Sequence, residues 1–296
     1  NPENISTLEK YPSRRKKKKN IVRYMGGDQE FISPIMSNPE NVFQLGPNAY
    51  AKPATALNIL RETVMGRTLF DHAFKTYAQR WMFKHPTPED FFRTMEDASA
   101  VDLDWFWRGW FYTTDYVDIG VKKISKYHLS STPSSDGEAL LERYGMSATD
   151  LPEGMLFFIA EDDPNYDAST AESTSLEESQ MLQDYLASNY TEEERSALDI
   201  PKNLYAIEFE KPGGLVMPLI VEYEYTDGTK ERVTYPVQVW RKNDQSVRKV
   251  LATDKELKKV TVDPDGETAD VNTENNAWPR ELNATDFQKF KEKVKG

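Results

Sequence analysis

The groups in this chain that could do acid–base or metal chemistry are few and scattered. Its three histidines, His72, His85 and His128, are never four residues apart, and it has no cysteine. A zinc site built from imidazoles or thiolates needs ligands paired on one helix or in closely spaced loops. No familiar local motif assembles one here. His85 precedes Glu89 and Asp90, residue types that bind metals, but a helix-start histidine that packs or bonds locally is the better reading. Asp263, Asp265 and Glu267 superficially suggest a calcium loop, yet their order is not that of an EF-hand. A type I turn between strands accounts for them. Trp105, Trp107 and Trp110 could stack on a sugar, but their helical spacing points to core packing. There remains Asn48-Ala49-Tyr50-Ala51-Lys52-Pro53, a phenol at the head of an apolar helical run over 54–64. Tyr50 could be an ordinary amphipathic tyrosine. Gln44, Gly46 and Asn48, just before it, could line a substrate groove or simply shape a turn.

The elements that must position these residues change character along the chain. Residues 50–112 are expected to be helical. Pro53 suits a first helical turn and Gly66 a stop, and Leu57, Leu60 and Val64 make one apolar stripe between them. A second helix is expected over 69–83. Thr87 reads as the N-cap of a third, with Pro88 as its first residue and Glu89 and Asp90 at its positive end. A last helix carries the tryptophans, capped by Asp102 or Asp104. Residues 116–124 alternate as a strand, and 155–159 form a short strand or buried segment. Residues 176–186 read as a helix, and Thr191-x-x-Glu194 is a capping box. From 204 the period becomes two. Gly213-Gly214 turns the chain, Asp227-Gly228 marks a hairpin, and strands are expected over 216–225, 229–235, 237–240, 247–251 and 260–262. Pro218 and Pro236 belong at edges or bulges. A terminal helix over 287–294 starts at Thr285.

Length and composition fit this plan. With 296 residues, 38% hydrophobic and 12% aromatic, the chain is globular and holds one to three domains. A net charge of -12 argues against general nucleic-acid binding. The basic run from Arg14 to Lys19 reads as a solvated helix or loop, and no stretch approaches the roughly 20 apolar residues of a membrane span. Lack of cysteine fits a bacterial exported protein built without disulfides.

Three segments together resemble the gluzincin zinc aminopeptidases, the aminopeptidase N-like family. They are Tyr50-Ala51-Lys52-Pro53-Ala54, Trp81 through Phe92 around His85-Pro86-Thr87-Pro88, and Asp102-Leu103-Asp104-Trp105-Phe106-Trp107-Arg108-Gly109-Trp110-Phe111. Val262-Asp263-Pro264-Asp265 through Asn275-Asn276 looks like the end of the family's C-terminal sandwich. Pro53 departs from the family, which commonly has Gly after the lysine; proline constrains Lys52 towards extended backbone, which could shift Tyr50.

The resemblance implies an α+β multidomain fold. Residues 1–118 would be the helical bundle that ends a thermolysin-like catalytic domain, 119–200 a mixed linker or extension, and 201–296 a small antiparallel β-sandwich with a terminal helix. It implies a zinc metallopeptidase, aminopeptidase activity on peptide substrates, and a periplasmic or extracellular location. In the family, zinc polarises the scissile carbonyl and activates water, and a tyrosine matching Tyr50 donates a hydrogen bond to the tetrahedral intermediate. The H-E-x-x-H motif and downstream Glu are absent here, so the zinc-bearing domain is expected upstream of Asn1. This chain alone is then expected to hold no metal and to be inactive. The alternatives are a non-catalytic peptide-, glycan- or protein-binding module, or a family member that has lost its zinc.

Overall fold

The computed structural model describes residues 18–280, which form an α+β fold with eight helices and two antiparallel sheets of four strands each. Residues 14–17 of the basic run and the expected helix over 287–294, with Thr285, lie outside the described residues. Lys18 is buried rather than solvated, its ammonium donating to Thr63 Oγ1 at 3.2 Å.

Helices come first. α1 (Lys19–Met25) buries Ile21, Tyr24 and Met25. The chain enters α2 (Lys52–Ile59) through a wide turn at Pro47–Ala51 and leaves it through another at Leu60–Val64. Gly66, at φ 78°, then breaks the run, as only glycine does readily. α3 (Arg67–Trp81), α4 (Pro88–Ser99) and α5 (Asp104–Tyr112) follow. No strand falls between residues 50 and 112.

Local chemistry explains where α4 begins. Thr87 Oγ1 accepts the Asp90 N–H at 3.4 Å, and Asp90 Oδ2 accepts the Thr87 N–H at 2.8 Å. This reciprocal pair satisfies two donors that a helix start leaves open. Thr87→Ala is expected to lower stability by about 1 kcal/mol, read as a shifted urea midpoint with unchanged slope. For α5 the expected caps are corrected. Leu103 holds the cap position, its N–H bonded to Glu96 Oε1 at 2.8 Å, while Asp102 Oδ1 accepts from Asp104 at 3.2 Å. Complete burial of Leu103 places it there.

β1 (Gly120–Ser130) pairs with β2 (Phe157–Ala160) on one side and β3 (Asn203–Glu210) on the other, and β3 pairs with β6 (Ser246–Thr253). The second sheet has the order β5-β4-β7-β8, from β4 (Leu219–Tyr225), β5 (Lys230–Tyr235), β7 (Leu257–Val262) and β8 (Ala277–Trp278). Gly228, at φ 81°, closes the β4–β5 hairpin. Helices α6 (Ser135–Arg143), α7 (Gln180–Asn189) and α8 (Glu192–Ser196) lie between β1 and β3 in sequence. Ser179 caps α7, which therefore starts later than the apolar run.

Residues 237–240 are a single 3-10 turn rather than a strand. Pro236 has no N–H for a ladder and its carbonyl accepts from Val239. The turn buries Trp240, whose Nε1 donates to the Met217 carbonyl at 3.0 Å. Gly213 and Gly214 are also explained differently, since neither has positive φ. A Cβ on Gly213 would overlap the Tyr116 carbonyl and the Asp118 N–H, and one on Gly214 the Asp115 carboxylate. The glycines let this loop press against the strip leading from α5 into β1.

One buried core runs without a break from Ile21 through Ile59, Met95 and Trp110 to Val121, Phe209, Tyr223 and Val260. A small satellite gathers Leu129, Leu182 and Leu186. β1 thus supplies an inner strand from the stretch expected to be a mixed extension.

Candidate functional site around Tyr50

Tyr50 sits inside the wide turn that opens α2. The Lys52 N–H reaches back five residues to the Pro47 carbonyl, the mark of a π-type turn. Proline at 53 accounts for it. Pro53 offers no N–H to the Ala49 carbonyl and its ring crowds that oxygen; a wider turn relieves both. Lys52 accordingly has helical backbone, φ -62° and ψ -52°, in place of the extended backbone expected before proline.

The residues flanking Tyr50 are anchored inward. Asn48 is 1% exposed, and its side-chain nitrogen donates to the Pro34 carbonyl at 3.3 Å and the Tyr24 hydroxyl at 3.4 Å, with Ser33 O also in reach. Lys52 is fully buried and its ammonium donates to the Thr113 carbonyl at 2.9 Å. That carbonyl caps the end of α5, where a helix favours positive charge. Burial drives the Lys52 pKa down to about 8, against the opposing pull of Asp115.

Residues two apart on a helix point in different directions. With Lys52 drawn into the core, Tyr50 faces out. It is 64% exposed, and its hydroxyl forms no hydrogen bond to a described residue. The strip leading to it exposes Phe43 and Leu45, and Phe31 meets Phe43 edge to face at 5.9 Å. Gln44 has φ 51° and donates to the Phe31 carbonyl at 3.2 Å. Gly46 is exposed, with no atom near where a Cβ would stand. The structure therefore brings Gln44, Gly46 and Tyr50 to one exposed strip and turns Asn48 inward, where it holds that strip in place. The importance of Lys52 as the anchor was not legible from its neighbours; its 61-residue reach to Thr113 was the missing information.

The other chemistry-bearing residues are structural. Glu89 Oε1 accepts from the Tyr112 hydroxyl at 3.3 Å, Asp90 is the capping partner of Thr87, and His85 is exposed. Asp263 accepts from the Glu267 and Thr268 N–H groups, while Asp265 and Glu267 pair with Arg232. Trp107 and Trp110 are buried; Trp105 is half-buried and bonds the Asp102 carbonyl at 3.2 Å. Among the described residues no three His, Cys, Asp or Glu converge as a metal site, and no helix is long and apolar enough to cross a membrane.

Four clefts lie away from Tyr50, two of them beside side chains already described. One, of about 310 Å³, is polar and includes Lys123, Ser135, Asp162, Asp163 and Arg248. Lys123 pairs there with Asp162, and Arg248 donates to the neutral Tyr127 hydroxyl. Another, of about 490 Å³, lies against α4 and α5 and includes Phe92, Arg93, Trp107, Arg108 and Tyr112. Tyr50 lines none of them.

Comparison with known proteins identifies no relative: no protein-family model matches the chain, and no curated protein matches it significantly.

Proposed function

We propose that this chain is the C-terminal part of a zinc-dependent metallopeptidase, an aminopeptidase-like gluzincin whose zinc motif lies upstream of Asn1. In this reading residues 1–118 are the helical end of a thermolysin-like catalytic domain, 119–200 an extension that lends β1 and β2 to the first sheet, and 201–296 the rest of a small β-sandwich with a terminal helix. The enzyme would be exported, periplasmic or extracellular, and would act on peptides.

The observation that carries the reading is the exposed, unbonded Tyr50 hydroxyl on a backbone fixed from both sides by Asn48 and Lys52. A donor placed this way suits a catalytic role, because it needs little reorganisation when charge develops before it. The described residues offer no ligand set for zinc. Bound zinc would polarise the scissile carbonyl and lower the pKa of the attacking water. The contribution of this chain is Tyr50, which would donate its hydroxyl hydrogen to the oxyanion as the carbonyl becomes tetrahedral. Gln44 and Gly46 would border the bound peptide.

The test is the intact gene product. It is expected to hold one zinc by elemental analysis and to hydrolyse aminoacyl-p-nitroanilides, whereas the 296-residue chain does neither. An intact product with no H-E-x-x-H and no activity would replace this reading with a non-catalytic binding module, for which exposed Phe31, Phe43 and Leu45 would be the contact strip. Tightly held zinc in the 296-residue chain would overturn the upstream placement of the metal site.

A further inference from the structure

The first sheet carries a depression on the face turned away from the core. Successive residues of a strand point to opposite faces. Tyr205, Ile207 and Phe209 of β3 enter the core, so Ala206 and Glu208 stand on the other side. Register sets Ser125 of β1 opposite Ala206, and Arg248 of β6 opposite Glu208. The middle of this face is therefore built of small side chains, with Ser125 8% and Ala206 4% exposed. Longer ones, Tyr127, Phe158 and Arg248, stand around them and enclose the polar cleft of about 310 Å³. That volume lies at the lower end of small-ligand pockets.

Some groups lining the cleft are already satisfied. Lys123 pairs with Asp162, and Asp163 accepts the Ser135 and Asn165 N–H groups at 3.0 and 2.9 Å. Three others have bonding capacity left. Phe158 is 55% exposed, an apolar ring bordering a polar cleft. Arg248 faces Glu208, but that carboxylate goes to Lys122 at 2.7 Å. The Arg248 guanidinium reaches across β3 to the Tyr127 hydroxyl, 5.6 Å from that ring's centroid, and forms no ion pair with a described residue. Asp136, in the first turn of α6, is exposed and also has no partner among the described residues.

We propose that this cleft binds a neutral saccharide of one or two rings. A sugar ring presents an apolar C–H face, which packs on an aromatic ring, and hydroxyls that both donate and accept hydrogen bonds. Phe158 supplies the aromatic surface. Arg248 supplies a planar fork of donors and Asp136 a pair of acceptors. Anions fit poorly, because the lining acids Asp136, Asp162, Asp163 and Glu208 outnumber Lys123 and Arg248. A bare metal cation fits poorly too, since no three acids or imidazoles converge as ligands among the described residues. A wholly apolar ligand would strip water from Arg248 and Asp136 without replacing its hydrogen bonds. The site uses only the outer face of the first sheet and the loops beside it, so it stands apart from Tyr50 and from the zinc reading.

The test uses the full chain and saturation-transfer NMR, which reads weak binding through the sugar protons. The probes are cellobiose, maltose, mannobiose and chitobiose, titrated separately, with inorganic phosphate as the anionic competitor. At least one disaccharide is expected to saturate in the millimolar range and to resist displacement by phosphate. Phe158→Ala should weaken that binding by about tenfold, the scale of one stacking contact. Phe158→Trp should keep it, and Arg248→Gln should weaken it. Both side chains are exposed, so the variants should melt with the parent. Phe83→Ala, which removes a ring 99% exposed between α3 and α4, should bind as the parent does. The proposal is overturned if no disaccharide saturates, or if Phe158→Ala binds as well as the parent. Displacement by phosphate would make the cleft an anion site and also overturn it. So would an equal loss in Phe83→Ala, which would place the sugar on exposed rings at large. None of these outcomes depends on peptidase activity.

Discussion

In the intact enzyme, Tyr50→Phe is expected to lower kcat by about 10²- to 10³-fold, a loss of roughly 2.7–4 kcal/mol, while leaving zinc content unchanged. The hydroxyl would meet negative charge that exists only in the transition state, so KM should move much less than kcat. Stability is a fair control because the ring stays and the lost group is exposed and unbonded. Steady-state kinetics with a melting curve on the same preparation reads both. A Phe variant that turns over at the parental rate would make Tyr50 a surface residue and remove the observation on which the peptidase reading rests. Lys52→Met separates positioning from chemistry: it leaves the phenol in place but frees the turn from Thr113, so any kcat loss should be smaller than that of Tyr50→Phe.

Trp110→Ala is expected to destabilise the chain by about 3–5 kcal/mol. Trp110 is fully buried and stacks on Phe106 with ring centroids 5.9 Å apart. Its neighbour Gly109 lies against Leu215, where an added Cβ would come within 2.6 Å of the Leu215 side chain. Removal of the indole would therefore open a cavity where α5 meets the sheet half, in surroundings too tight to collapse into it. Trp110→Phe should cost less, because it keeps most of the ring and removes an indole N–H that has no partner. Urea unfolding measures both; a Trp110→Ala loss below about 1 kcal/mol would mean that the core is not continuous there.

What could be read from the chain depended on how far each signal reaches. Thr87, Pro88 and Asp90 lie within four residues, and their cap forms as expected because every partner is local. The Thr191–Glu194 box and the Asp227-Gly228 hairpin hold for the same reason. The helices over 50–112 and the strands from 203 onward follow from side-chain periodicity, which is set by backbone geometry before any packing.

Tertiary structure decided the rest. Residues 237–240 alternate like a strand, but burial of Trp240 against Met217 makes them a turn. Lys52 stays helical before proline because the turn at Pro47–Ala51 widens and Thr113, 61 residues on, receives its ammonium. Asn48 and Tyr50 are near neighbours, yet one is buried and the other exposed; the carbonyls of Ser33 and Pro34 and the Tyr24 hydroxyl, all distant in sequence, hold Asn48 inward. The meeting of Asp118 with Asn275 spans 157 residues. No periodicity or motif carries such a contact, since it arises where the sheet topology returns the chain to the start of β1. By itself, then, the sequence determined local starts, stops and periods, whose energies lie within a turn or two of backbone. Which side chains became anchored, exposed or stranded without a partner was decided by packing between distant segments.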